Sequence, residues 1–139
     1  MPLIKKIKNN TKILDLGSGG GFPGILIAIL KANCEIHLVE KAQKKAYFLK
    51  KMKDMLKLKN IEVINNKLLS NNNIGVYDVI TARAFSSTQN IIEITPNNIK
   101  KGSMYLLLKG REEKIKEELH SVDTNKSVSY THLTLPTTD

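Results

Sequence analysis

The sequence predicts an α/β fold built on a parallel, doubly wound sheet. Short apolar runs alternate with segments of helical periodicity, which is the pattern of consecutive βαβ units. The first apolar run ends in a cluster of glycines, as is typical of the first strand-to-helix turn in such sheets. With 139 residues, of which 41% are hydrophobic and 25% charged, the chain has the size and composition of one globular domain.

Five strands are predicted from short apolar or alternating runs. KILDL runs directly into the glycines, EIHLV alternates as a strand does, and MYLLLK follows a turn at Lys101 and Gly102. The predicted strands cover Lys12–Leu16, Glu35–Val39, Ile61–Ile64, residues 77–81 and Met104–Lys109.

Helices are predicted between these strands. Pro23 is suited to a first helical turn, where its missing N–H loses no hydrogen bond. Between residues 42 and 56 apolar side chains recur at spacings of three and four, with lysines on the other face, as in an amphipathic helix. The asparagine-rich residues 65–73 lack periodicity and are predicted to form a loop. The predicted helices cover Gly24–Leu30 and residues 42–56, 87–94 and 112–119.

Composition and charge narrow the functional classes. The longest apolar run, residues 25–30, is far below the roughly 20 residues that span a bilayer, and no signal peptide is present, so we expect a cytoplasmic protein without membrane association. Cys34 is the only cysteine, and His37, His120 and His132 are scattered, so no disulfide or metal site is expected. The net charge of +9 suits RNA, although A/T-rich codon usage gives the same lysine excess.

The strongest functional signal is the segment DLGSGGGFPG at residues 15–24. Its glycines allow positive φ and let a ligand approach the backbone, and they exceed what a tight turn without a ligand requires. Glu40 ends the second strand about 20 residues further on, where an acidic side chain can accept hydrogen bonds from two ribose hydroxyls. Together they predict a site for an adenosine nucleoside at the carboxyl ends of the strands.

Two nucleoside cofactors fit this segment. Gly19, Gly21 and Gly24 satisfy the dinucleotide pattern G-x-G-x-x-G, whereas Asp15 and Gly17 give the D-x-G-x-G form found in methyltransferases. An acid is favourable beside a cationic sulfonium and unfavourable beside a pyrophosphate. The sequence therefore favours S-adenosylmethionine, with NAD and a dehydrogenase as the alternative.

Several segments resemble the glucose-inhibited division protein B family, whose members methylate guanine N7 of small-subunit ribosomal RNA. The resemblance covers residues 12–118 and implies a class I S-adenosylmethionine methyltransferase with a Rossmann-like sheet. It implies ribosomal RNA as partner, within the small ribosomal subunit or its precursor, and we expect a monomer. The segments that carry the resemblance are GSGGGFPGI (17–25), LVEKAQKKAYFL (38–49), ITARAFS (80–86) and LLLKG (106–110).

The resemblance also implies a set of cofactor-binding residues. Glu40 would bind the ribose, and Arg83 would orient the cofactor and the incoming base without acting as a catalytic group. Family members usually have Arg, a small or apolar residue and Glu where this chain has Lys67, Leu68 and Leu69. Recognition of adenine would then rest on backbone contacts of that loop. The implied residues are Gly17, Gly19, Phe22, Glu40, Leu68, Leu69 and Arg83.

The ends of the chain depart from the family pattern. The resemblance implies a helical segment before Lys12 and two further strands after the fifth. Residues 124–139 contain one lysine and no isoleucine, and VSYTHLTLPTT resembles a translated sequencing adaptor. We interpret residues 1–119 as the methyltransferase core and 120–139 as a non-native tail, with an ordinary C-terminal strand as the alternative. The sheet is then expected to be incomplete at both ends, with an unpaired fifth strand and little activity.

The absence of the motifs used for other base methylations agrees with methylation at guanine N7. The D/N-P-P-Y/F motif of exocyclic base methylation is absent after the fourth strand, and Cys34 lies too early for attack on a pyrimidine. Guanine N7 has an exposed lone pair and no proton, so it needs positioning and no general base. Lys44, Lys45 and Arg111 are the RNA-binding candidates, although a lysine-rich helix face is usually just solvated. Another class I methyltransferase and a non-catalytic RNA-binding module remain alternatives.

Overall fold

A computed structural model of the chain describes residue 5 and residues 7–17, 23–83, 88–109 and 129–134, with the backbone alone at 83, 88, 108, 109 and 129–134. The sheet has six strands in the order β3-β2-β1-β4-β5-β6, and all neighbouring strands are parallel. The predicted α/β class and parallel sheet are confirmed. In chain order the elements are β1 (Lys12–Leu16), α1 (Gly24–Leu30), β2 (Glu35–Val39), α2 (Gln43–Met55), β3 (Ile61–Ile64), β4 (Val79–Arg83), α3 (Thr88–Ile94), β5 (Met104–Lys109) and β6 (Ser129–Thr134).

The element boundaries follow the sequence closely, with one shift. β4 runs from Val79 to Arg83, so it begins and ends two residues later than the predicted strand at 77–81. Residues 65–73 form no helix or strand, as predicted. The predicted helix at 112–119 lies outside the described residues.

The far edge of the sheet differs from the prediction. β6 pairs in parallel with β5 from Met104↔Ser129 to Lys109↔Thr134, so the expectation of an unpaired β5 is wrong. Parallel pairing satisfies the backbone groups along β5 that an open edge would leave exposed. The division of the chain into a core and a non-native tail stays a prediction.

Both faces of the sheet are buried, which explains the nearly continuous apolar strands. Consecutive strand residues such as Ile13 and Leu14 belong to opposite clusters, because strand side chains alternate between the two faces. The first cluster, against α1 and α2, includes Ile13, Ile27, Ile36, Leu38 and Leu49. The second, against α3, includes Leu14, Ile80, Ile91, Tyr105 and Leu107.

The amino ends of the strands are held together by Asp78. Its Oδ2 accepts a hydrogen bond from the Lys12 N–H at 2.9 Å, and its Oδ1 lies 2.8 Å from Lys100 Nζ. Its carbonyl accepts a further bond from the Met104 N–H at 2.9 Å. The bonds from Lys100 and Lys12 hold the pKa of Asp78 below its usual range.

A polar pair lies beside this contact. His37 Nδ1 is 2.7 Å from Tyr77 Oη, and His37 Nε2 is 2.8 Å from Glu35 Oε1. Burial, followed by the charges of Glu62 and Glu35, raises the pKa of Tyr77 to about 12. The buried polar groups at this edge therefore find their partners within the protein.

No helix among the described residues is long and apolar enough to cross a membrane.

Candidate active site

A pocket of about 430 Å³ lies at the carboxyl ends of β1, β2 and β4. In the sheet, β1 has β2 on one side and β4 on the other, so the chain changes its direction of winding at this point. Such a switch point is where open α/β sheets bind ligands. The pocket is lined by Leu16, Gly17, Val39, Glu40, Lys41, Asn66, Lys67, Leu68, Ala82, Asn90, Ile91 and Ile94.

The turn after β1 is held by Asp15, which is fully buried. Its Oδ2 accepts a hydrogen bond from the Gly24 N–H at 2.8 Å, and its Oδ1 accepts one from Thr81 Oγ1 at 2.8 Å. A side chain at residue 24 would collide with those of Leu38 and Asp15, which accounts for the glycine. The acid predicted to lie beside a sulfonium therefore binds groups of the protein itself and joins the end of the turn to β4.

Gly17 is the first residue after β1 and contributes backbone to the pocket. Its φ of +71° lies in the left-handed region, which favours glycine. Its N–H donates to the Val39 carbonyl at 2.9 Å, so the carboxyl ends of β1 and β2 are tied together. This bond fixes the position of Gly17 relative to the residue that follows β2.

Glu40 follows β2 and is only 6% exposed. Its backbone is fixed on both sides, because its N–H donates to the Ile64 carbonyl at 3.0 Å and its carbonyl accepts a bond from Asn65 Nδ2 at 2.9 Å. Within the described part of the chain, the Glu40 carboxylate has no hydrogen-bond or ion-pair partner. Its oxygens are not among the fully buried side-chain atoms that lack a hydrogen-bond partner. Because Glu40 lines the pocket, its carboxylate is therefore accessible there and is placed to receive donors from a ligand.

Two more walls of the pocket come from the segment after β3 and from α3. The first wall contributes Asn66, Lys67 and Leu68, of which Leu68 packs against the second core cluster. The second wall contributes Asn90, Ile91 and Ile94. The pocket thus combines an apolar interior with one buried acid and two lysines, Lys41 and Lys67, at its border.

In the ranges that the structure describes, no group of three or more His, Cys, Asp or Glu side chains could hold a metal ion.

The sequence matches the family described as GidB, rRNA small subunit methyltransferase G, over residues 1–138. The chain belongs to this family. Ribosomal RNA small subunit methyltransferase G of Borrelia garinii subsp. bavariensis is 36% identical over 122 residues, which cover 88% of this chain and 57% of the relative. The same-named protein of Helicobacter pylori is 38% identical over 121 residues, which cover 87% of this chain and 67% of that protein. The chain thus spans little more than half the length of the Borrelia relative.

A solved structure shares the fold. The S-adenosylmethionine-dependent methyltransferase from Thiobacillus denitrificans, in complex with S-adenosylhomocysteine, superposes with a TM-score of 0.64 at 15% identity. The match covers 76% of this chain and 44% of that protein. The fold is therefore that of class I methyltransferases, as the family resemblance implied.

The structure brings some of the residues implied by the family resemblance to one pocket and not others. Gly17, Glu40 and Leu68 line it together. Leu69 is 54% exposed and is not among the lining residues, so its side chain does not extend the apolar wall that Leu68 forms. Lys44 and Lys45 are exposed in the first turn of α2.

Four other predicted site residues lie wholly or partly outside the described part of the chain. Gly19, Phe22 and Arg111 lie outside the described residues. The backbone of Arg83 ends β4 and pairs with Leu108, but its side chain is not described.

Sequence reasoning missed several lining residues. Lys41 and Asn66 each lie two residues beyond the end of a strand, at Val39 and Ile64, and that position is a signal that could have found them. Ile91 and Ile94 are spaced as core residues of a helix, so no sequence signal separates a pocket wall from the core there. Asn90 beside them carries no distinguishing pattern either.

Proposed function

We propose that this chain forms the cofactor-binding part of an S-adenosylmethionine-dependent methyltransferase that acts on guanine N7 of small-subunit ribosomal RNA. The observation that carries the proposal is Glu40, which is buried and lines the pocket beside Gly17. Its carboxylate has no hydrogen-bond or ion-pair partner among the described residues. Family membership and the class I fold support the same conclusion.

The residues present fit this cofactor. Glu40 accepts hydrogen bonds from the two ribose hydroxyls, and the backbone at Gly17 allows close approach of the methionine part. Leu68 and Ile91 offer apolar surface to the adenine ring. The volume of about 430 Å³ is within the range of small-molecule sites. Gly19, Phe22 and Arg83 complete the site by family resemblance, and Leu69 contributes through its backbone.

The reaction makes modest chemical demands on the protein. When bound, S-adenosylmethionine supplies a methyl group on a positively charged sulfur. Guanine N7 presents a lone pair and no proton, so the reaction needs no general base. We therefore assign no catalytic residue. Its residues hold the reactants in line and exclude water, which accounts for on the order of 7 to 11 kcal/mol of barrier lowering in well-oriented reactions. Arg83 at the end of β4 orients the cofactor and the base.

The RNA docks at the carboxyl edge of the sheet. Lys44 and Lys45 are exposed at the start of α2, close in sequence to the pocket residues Glu40 and Lys41. Their contacts with phosphates position the RNA without reading its sequence, and Arg111 adds a further contact by family resemblance. The protein acts as a cytoplasmic monomer on the small ribosomal subunit or its precursor.

Calorimetry tests the cofactor. The purified chain is titrated with S-adenosylmethionine, S-adenosylhomocysteine and NAD, and we expect binding of the first two. Tighter binding of NAD would contradict the proposal and favour a dehydrogenase.

Methyl transfer tests the reaction. Small ribosomal subunits that lack the modification are incubated with the chain and radioactive S-adenosylmethionine, and the labelled nucleoside is identified by mass spectrometry. We expect label on guanine N7, at a low rate. Label on another atom contradicts the N7 assignment. Cofactor binding without any label favours the non-catalytic RNA-binding module.

A further inference from the structure

The two outer walls of the pocket do not belong to the sheet. One is the segment 65–78 between β3 and β4, which contains no helix or strand and supplies Asn66, Lys67 and Leu68. The other is α3, which supplies Asn90, Ile91 and Ile94. Strand pairing fixes neither wall, so their packing on the sheet and the hydrogen bonds that join them set the width of the pocket.

Asn72 makes hydrogen bonds to both walls, and Asn97 after α3 adds bonds from its Nδ2 to the carbonyls of Ser70 and Asn72 at 3.4 and 3.3 Å. The Nδ2 of Asn72 donates to the Leu69 carbonyl at 2.7 Å, next to Leu68, and lies 3.2 Å from the carbonyl of Ile94. One side chain therefore contacts the backbone of both walls. The contact with α3 is made at a residue that itself lines the pocket.

Asn98 anchors Asn72. The two carboxamides form a reciprocal pair, with Asn72 Nδ2 2.9 Å from Asn98 Oδ1 and Asn98 Nδ2 2.7 Å from Asn72 Oδ1. Asn98 is fully buried, and its Nδ2 also donates to the Gly75 carbonyl at 2.8 Å. Its own carbonyl accepts the Tyr77 N–H at 2.9 Å, two residues before β4. The anchor is thus continuous with the sheet.

We propose that Asn72 is a positioning residue for the cofactor: its carboxamide sets the distance between the loop after β3 and α3, and hence the fit of the adenine between them. The inference rests on the proposed function for the identity of the ligand. Asn72 touches no cofactor itself, and acts by holding Leu68 and Ile94 in place.

The chemistry of the pair requires an amide at residue 72. An amide donates and accepts at once, as the reciprocal bonds with Asn98 demand. Aspartate keeps the accepting oxygen but puts a second oxygen against the carbonyls of Leu69 and Ile94. Alanine removes all of these bonds and leaves the buried Asn98 amide with fewer partners.

The experiment compares Asn72→Ala and Asn72→Asp with Asn73→Ala. Asn73 is the exposed neighbour on the same loop, so its replacement is a matched control. Hydrogen–deuterium exchange is measured first without ligand. We expect both Asn72 variants to exchange faster at residues 66–70, with β1 and β2 unchanged, while Asn73→Ala behaves as the wild type. Unchanged exchange at 66–70 in both Asn72 variants would show that Asn72 does not hold the loop after β3 in place.

Calorimetry with S-adenosylhomocysteine is measured second. We expect both Asn72 variants to bind roughly five- to tenfold more weakly, as the loss of one or two hydrogen bonds implies, and the control to bind as tightly as the wild type. If the wild type binds and the Asn72 variants bind equally well, the positioning role is wrong. If the wild type fails to bind, the proposed function is wrong. The exchange data still decide whether Asn72 holds the loop after β3 in place.

Discussion

The two edges of this sheet use buried polar groups in opposite ways. At the amino edge, Asp78 bonds to Lys100 and to the backbone of Lys12, and His37 pairs with Tyr77. At the carboxyl edge, Glu40 is buried yet has no partner among the described residues. Polar groups that bond to one another stabilise the fold, whereas a pocket-lining carboxylate without a partner among the described residues is available to a ligand. Substitutions at the two edges should therefore affect different measurements.

The largest expected effect comes from Asp15, which is at the carboxyl edge but is bonded within the protein. Asp15→Ala leaves the Gly24 N–H and the Thr81 hydroxyl unpaired in a buried place, so the free energy of unfolding should fall by roughly 2 to 4 kcal/mol. Urea unfolding followed by circular dichroism measures the change. Thr81→Val removes only one of the two bonds and should cost less. An Asp15→Ala variant no less stable than Thr81→Val would show that the bond to Gly24 contributes nothing.

The second effect separates binding from stability. Glu40→Gln removes the charge that we propose binds the ribose, so the affinity for S-adenosylmethionine should fall by roughly 1 to 3 kcal/mol. The free energy of unfolding should change little, because the Glu40 carboxylate makes no hydrogen bond or ion pair within the described residues and its oxygens are not among the fully buried unpaired atoms. Calorimetry and urea unfolding are run together, with Glu93→Gln on the exposed face of α3 as the control. A drop in stability without a change in affinity would assign Glu40 to the fold.

The sequence predicted the parts of the fold and site that depend on local pattern. The end of β1, the start of α1 and the pocket position of Glu40 were predicted because each occupies a fixed place relative to a strand end. The pocket wall formed by Ile91 and Ile94 was not predicted, because their spacing is that of any buried helix face. Asn72 belongs to a segment that looks like a polar loop in the sequence, and only tertiary contacts show that its amide is bonded.

The pairing of β6 was missed for a different reason. Composition indicated that residues 124–139 are foreign, and composition says nothing about whether a segment can pair with a neighbouring strand. Residues 129–134 contain two β-branched threonines and a tyrosine, residue types that favour a strand whatever the origin of the segment. Local propensity is thus sufficient for pairing at an edge, where packing constrains the sequence least.

The third effect is a pH dependence at the amino edge. The hydrogen bonds from Lys100 and Lys12 lower the pKa of Asp78, so its contribution to stability is present above its unfolded pKa and is lost as pH falls through the lower folded value. Asp78→Asn should be less stable than the wild type at pH 7, by roughly 0.5 to 1 kcal/mol for this half-exposed pair. The difference should shrink below about pH 4. Cofactor affinity at pH 7 should not change, and a loss of affinity would contradict the separation of the two edges.

The smallest effect concerns RNA at the carboxyl edge. Lys44 and Lys45 are exposed there, whereas Lys59 is exposed just before β3, at the amino edge. If both N-terminal lysines of α2 contact phosphates, each Lys→Ala change should reduce the slope of log affinity against log salt by roughly 0.7 to 0.9. The loss of affinity at physiological salt should be modest and independent of RNA sequence. Binding to ribosomal RNA fragments is measured over a series of salt concentrations, with Lys59→Ala as the charge-matched control. Equal reductions in slope for all three variants would mean that the RNA responds only to net charge, and that the carboxyl edge has no special role in docking.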